Sequence, residues 1–158
     1  MRCKISLFAG SLAVISILLA AAPACKAFAS LDDKIPSAQS IAALELKASQ
    51  AAPKEQCFLY AELVHEMIEY SSAEYAAGNY EQGADTLKHV NEFAQKIHIL
   101  VTDNEKRLKN AQILLRHTAF RLNELLHSTS MEDHPLIEKT LAQVNQVQNE
   151  AMLQVFRK

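Results

Sequence analysis

The sequence predicts an all-α protein, an up-and-down helical bundle built around a long heptad-patterned helix or helix pair at about residues 80–127. Three observations predict it. Leu87, Ala94, Val101, Leu108, Leu115 and Leu122 recur every seven residues. Val90, Ile97, Ala111, Thr118 and Leu125 make a second row three residues further on, so one helical face carries a continuous apolar stripe. No Gly or Pro falls between Ala84 and His134, and no segment alternates over β-branched residues as a half-buried strand would. Composition agrees: 158 residues hold three Gly and no Trp, and 49% are hydrophobic, which suits one helical domain, set at 37–158.

Residues 1–29 read as a signal peptide. Arg2 and Lys4 are the positive region, Ile5 to Ala22 is apolar and uncharged, and Ala27-Phe28-Ala29 offers small residues to a signal peptidase, which predicts cleavage before Ser30. A cut after Ala24 would instead expose Cys25 for lipidation, but Ala22 and Pro23 fit a lipobox badly; membrane association is expected only by that route. The mature chain then carries 13 Lys and Arg against 18 Asp and Glu, a net charge of 13 − 18 = −5, which argues against general nucleic-acid binding. It keeps one cysteine, Cys57, on the apolar face of its helix and therefore expected in the core.

Residues 30–36 are polar and expected to be flexible. Ser37 caps a short helix to about Ala51, with Ile41, Leu44 and Ala48 on one side. Pro53 ends it and suits the first turn of a second helix, Lys54 to Ala77, whose core stripe is Cys57, Ala61, Val64, Ile68 and Tyr75 flanked by Tyr60 and Met67. Gly78-Asn79 stops that helix. The turn Gly78-Asn79-Tyr80, with Gly83 and Leu87, resembles the middle of a tetratricopeptide hairpin over about ten residues. Lys109 and Gln112 stand where Tyr75 and Gly78 would recur at that family's period, so the resemblance implies only an antiparallel helical hairpin.

Thr102-Asp103-Asn104-Glu105 is a possible capping box, which would start a new helix there. The heptad phase nevertheless runs unbroken from Val101 to Leu108, and this favours a continuous or kinked helix over a tight hairpin. A turn near Asp103 gives a four-helix bundle; its absence gives an elongated molecule with exposed apolar strips that would dimerise. Ser128-Thr129-Ser130 breaks the stripe. Ser130 or Asp133 caps a last helix with Pro135 in its first turn and Ile137, Leu141, Val144, Val147, Ala151 and Val155 inward.

Charge is partitioned. From Lys54 to Asp85 there are seven acids and one base; from Asn104 to His127 there are five bases and two acids. The simplest expectation is that the two helices face each other, within the fold or across a dimer. The sharper one is that Lys106, Arg107, Lys109, Arg116 and Arg121 form an interaction patch for an anionic partner or lipid surface.

The one pattern with metal chemistry is a repeated Glu-x-x-His, Glu62 with His65 and Glu124 with His127, the spacing by which two ligands share a helix face in di-iron bundles; Glu45 and Glu92 would be the added carboxylates. Helical phase opposes it, since at 100° per residue Glu124 and His127 lie roughly 150° from their core stripe. His65 with Glu66 and Glu69, and Glu132-Asp133-His134, are looser clusters without a closed ligand set. No Cys-x-x-Cys-His permits covalent haem; Met67 or Met152 with His98 or His117 would be the non-covalent choice. Ser71-Ser72 has no nucleophile elbow, and no phosphate loop is present, so no enzyme and no cofactor are expected. The expected function is an exported helical interaction or structural module of the cell envelope, periplasmic or secreted, whose partner is another envelope protein or a second copy. The alternatives are a metal- or haem-binding bundle and an envelope chaperone-like or stress protein that docks through its basic helix.

Overall fold

Local chemistry sets four of the helix ends in the computed structural model, which describes residues 35–101 and 107–157. Among them lie five helices and no strand: α1 (Ala38–Gln50), α2 (Pro53–Ala77), α3 (Tyr80–Leu100), α4 (Leu108–Ser128) and α5 (His134–Val155). Ser37 caps α1 reciprocally with Ser40: the Ser40 amide donates to Ser37 Oγ at 3.1 Å and the Ser37 amide to Ser40 Oγ at 2.9 Å. Pro53 opens α2, and Gly78 closes it in the left-handed conformation at φ 84°, its amide reaching back to the carbonyls of α2's last turn. Asp133 precedes α5 without a side-chain cap, and Pro135 occupies its first turn. The signal peptide, Cys25, residues 30–34, the Thr102–Glu105 capping box and Lys106 lie outside the described residues. No described helix is long and apolar enough to cross a membrane.

The helices form two hairpins laid side by side. α2 packs on α3 and α4, α5 packs on the same two, and α1 packs on α2; α3 and α4 stand diagonally across the core, with no close backbone approach among the described residues. Cross-links between hairpins fix direction. Glu69 with Arg121, Asn91 with Gln143 and His98 with Glu150 each join residues 52 apart, and His65 with Thr118 joins residues 53 apart. α2 therefore runs parallel to α4, and α3 to α5.

This corrects the expectation of a continuous or kinked helix through residue 101. The N-terminal part of α2 meets the end of α3 (Tyr60 against Phe93) and the start of α4 (Phe58 under Arg107), while its C-terminal part meets the start of α3 and the end of α4. Both halves lie along the same partner in opposite directions. The heptad residues Leu87, Ala94, Val101, Leu108, Leu115 and Leu122 are all buried, but on two antiparallel helices that line one core.

α2 is buried more widely than its predicted stripe. Leu59, Leu63 and Ser71 join Cys57, Tyr60, Ala61, Val64, Met67, Ile68 and Tyr75, because α2 alone has three helical neighbours. The crossing with α3 is close at Gly83. There the Ser71 hydroxyl donates to the Gly83 carbonyl at 2.9 Å and the Tyr75 ring lies on the glycine.

Candidate functional site

The seam between α2 and α4 brings together four of the polar residues that the sequence singles out, His65, Glu69, Arg121 and Glu124. Thr118 is buried, and its hydroxyl donates to the Leu114 carbonyl at 2.9 Å. That engages its proton, so the 3.1 Å contact with His65 Nδ1 has the imidazole N–H donating to Thr118 Oγ1. Burial lowers the His65 pKa; His117 and Arg121 push the same way, against Glu69.

One turn on, Arg121 clamps Glu69 with two hydrogen bonds, Nε to Oε1 at 2.6 Å and Nη2 to Oε2 at 2.8 Å, and gives Nη1 to Glu124 Oε2 at 2.6 Å. Those bonds, to Glu69 first, raise the Arg121 pKa. The acidic and basic helices do face each other within the fold.

This geometry assigns other work to two of the four proposed metal ligands. His65 is tied to Thr118 and Glu124 to Arg121; Glu62 is half-buried and His127 exposed. Among the described residues no three His, Cys, Asp or Glu side chains come together to hold a metal ion. His98 pairs with Glu150 at 2.5 Å and His117 is exposed, whereas Met67 is buried. Ser71 and Ser72 both donate to backbone carbonyls, of Gly83 and Ile68. Cys57 is fully buried, and burial pushes its thiol up to about 11, which makes it a poor nucleophile.

The basic patch divides. Arg107 lies 3.7 Å over the Phe58 ring and Arg121 is held by two carboxylates, so both serve the fold. Lys109 and Arg116 are exposed on the outer side of α4. On the same side of the helix, within about 60° of one another in phase, stand Ile113 and Phe120, 36% and 62% exposed. The sequence reading noted the bases and missed the two apolar residues; their i, i+7 spacing, opposite the core stripe, was the available signal.

No protein-family model, curated protein or solved structure matches this chain. The site is therefore read from its own geometry.

A groove of about 980 Å³ opens at the end of the bundle where the α2–α3 and α4–α5 turns meet. Tyr75, Tyr80, Ala84 and Leu125 line it, together with the carboxylates of Glu81, Asp85, Glu124, Glu132 and Asp133 and the cations of Lys88 and Arg121. Burial first, then the Asp133 carboxylate, pushes the Tyr75 hydroxyl up to about 12.

Proposed function

We propose that this protein is an exported helical interaction module of the cell envelope, docking through the outer face of α4 onto another envelope protein. The observation that carries the reading is the stripe Lys109, Ile113, Arg116 and Phe120: apolar side chains turned away from the core and alternating with bases along the helix. The heptad rows are taken up in the bundle's own core, which leaves this second stripe for a partner. Its charge asks for a partner surface with an apolar ridge and carboxylates alongside it. Export rests on the Arg2-to-Ala29 leader pattern.

Site-specific photo-crosslinking in intact cells tests both parts. A benzophenone side chain at Phe120 or Ile113 should give one discrete adduct with an envelope protein, and Arg116→Glu should abolish it; the same label at Glu55 should not give it. An adduct between two copies would replace the heterologous partner with a homodimer. No adduct from α4, with the chain exported and folded, would sink the proposal.

A further inference from the structure

The groove at the turn end holds three features that packing alone does not explain. Tyr75 is only 6% exposed, and its enclosed hydroxyl has no hydrogen-bond partner among the described residues. The Asp133 carboxylate is near enough to act on it, adding to burial in holding the phenol protonated. Buried hydroxyls are nearly always satisfied, so an unsatisfied one bordering a cavity points to something the cavity receives.

The lining charge is strongly one-sided. Five carboxylates stand against two cations, 2 − 5 = −3. Lys88 is already on Asp85 at 2.7 Å, and Arg121 is on Glu69 and Glu124. Glu81, Glu132 and Asp133 are left without a cation among the described residues. Finally, Tyr80 stands 60% exposed at the rim, its ring 6.1 Å from that of Tyr75 and tilted by 54°. An exposed aromatic face beside uncompensated carboxylates attracts organic cations.

We propose that this groove binds an organic primary ammonium, carried by a linear polyamine or by a lysyl side chain, with the ammonium between Tyr75 Oη and the Asp133 carboxylate and its methylenes along Tyr80, Ala84 and Leu125. A primary ammonium brings three donors and no acceptor. It can donate to the phenol oxygen and to two carboxylates, while the phenol proton turns to Asp133. The phenol stays protonated at neutral pH, so it keeps both roles. A bare metal ion fits less well, since the described residues offer no group of three ligands for one. The groove shares no residue with the α4 docking stripe, so either proposal can fail without the other.

Titration calorimetry on the mature chain at low salt, with spermidine and separately with a short lysine-containing peptide, tests it. Saturable binding of one amine per chain is expected. Tyr75→Phe keeps the ring on Gly83 and removes only the hydroxyl, so it should melt no lower than the parent and bind about tenfold more weakly. Asp133→Asn should weaken binding further. Tighter binding of the peptide would assign the lysyl source, and tighter binding of spermidine the free amine. Absence of saturable heat, equal binding of Mg²⁺, or undiminished affinity in Tyr75→Phe would overturn the proposal. If Asp133→Asn fails to fold, Tyr75→Phe decides alone.

Discussion

At Gly83 a Cβ would lie 2.7 Å from the ring of Tyr75, closer than real contacts allow. The obstacle is the body of a buried ring, not the end of a flexible chain. Gly83→Ala should therefore destabilise the protein by about 1–2 kcal/mol: overpacking costs about 1–3 kcal/mol, and the better helix propensity of Ala returns less than about 1 kcal/mol. Combining it with Tyr75→Leu should recover most of the loss, and chemical denaturation of the two single variants and the double variant checks the coupling. His65 carries a second prediction. Its folded pKa lies below the ordinary 6.5, because burial disfavours the imidazolium; His117 and Arg121 add to this and Glu69 opposes it. As pH falls, the unfolded chain takes up the proton first. The stability His65 contributes is thus present above pH 6.5 and lost as pH falls through 6.5 toward the folded pKa. Denaturation at pH 7.5 and 5.5 should show a smaller drop in His65→Gln, whose amide can still donate to Thr118. Neither contact was legible in the sequence: Tyr75 and Gly83, and His65 and Thr118, meet only once the helices are placed.

At the scale of the element, the α2–α4 seam shows what charge pattern can predict. Seven acids against one base on the first segment and five bases against two acids on the second announced that the helices attract. The structure concentrates that attraction in the fork of Arg121 on Glu69. A fixed two-bond geometry between two helices loses less side-chain freedom than a flexible surface pair. The Glu69→Ala and Arg121→Ala cycle should therefore give a coupling near 1 kcal/mol, while the exposed pair of Arg121 with Glu124 on one helix should give roughly 0.3 kcal/mol. Urea melts of the four chains in each cycle measure both, and equal couplings would mean that the fork contributes nothing beyond proximity. Helix ends were legible for a related reason, since Ser37, Pro53, Gly78 and Pro135 act on their own backbone. The width of the α2 core face was not, because Leu59, Leu63 and Ser71 are covered by neighbours distant in sequence.

For the whole molecule, heptad phase proved a good guide to which residues are inside and a poor one to where the chain turns. Leu87 through Leu122 are buried as the stripe requires, yet α3 and α4 lie antiparallel on opposite corners of the bundle. Phase is set in each helix by its own inward face. Two helices that line one core from opposite corners can share a phase as readily as the two halves of one helix, so continuity of the pattern carried no information about continuity of the helix. The two arrangements separate on a single distance. In an unbroken helix, residues 80 and 128 would lie about 72 Å apart at 1.5 Å per residue. In the two-hairpin bundle, Tyr80 and Ser128 line the same groove. Spin labels at Tyr80→Cys and Ser128→Cys, in a chain whose buried Cys57 is replaced by Ala, should report a short separation by dipolar spectroscopy in dilute solution. Diluting labelled with unlabelled chains should leave that separation unchanged, because it arises within one molecule. A distance near 72 Å would restore the single long helix and dismantle both the seam and the groove. A short distance that vanishes on dilution would mean that the hairpins pair between copies.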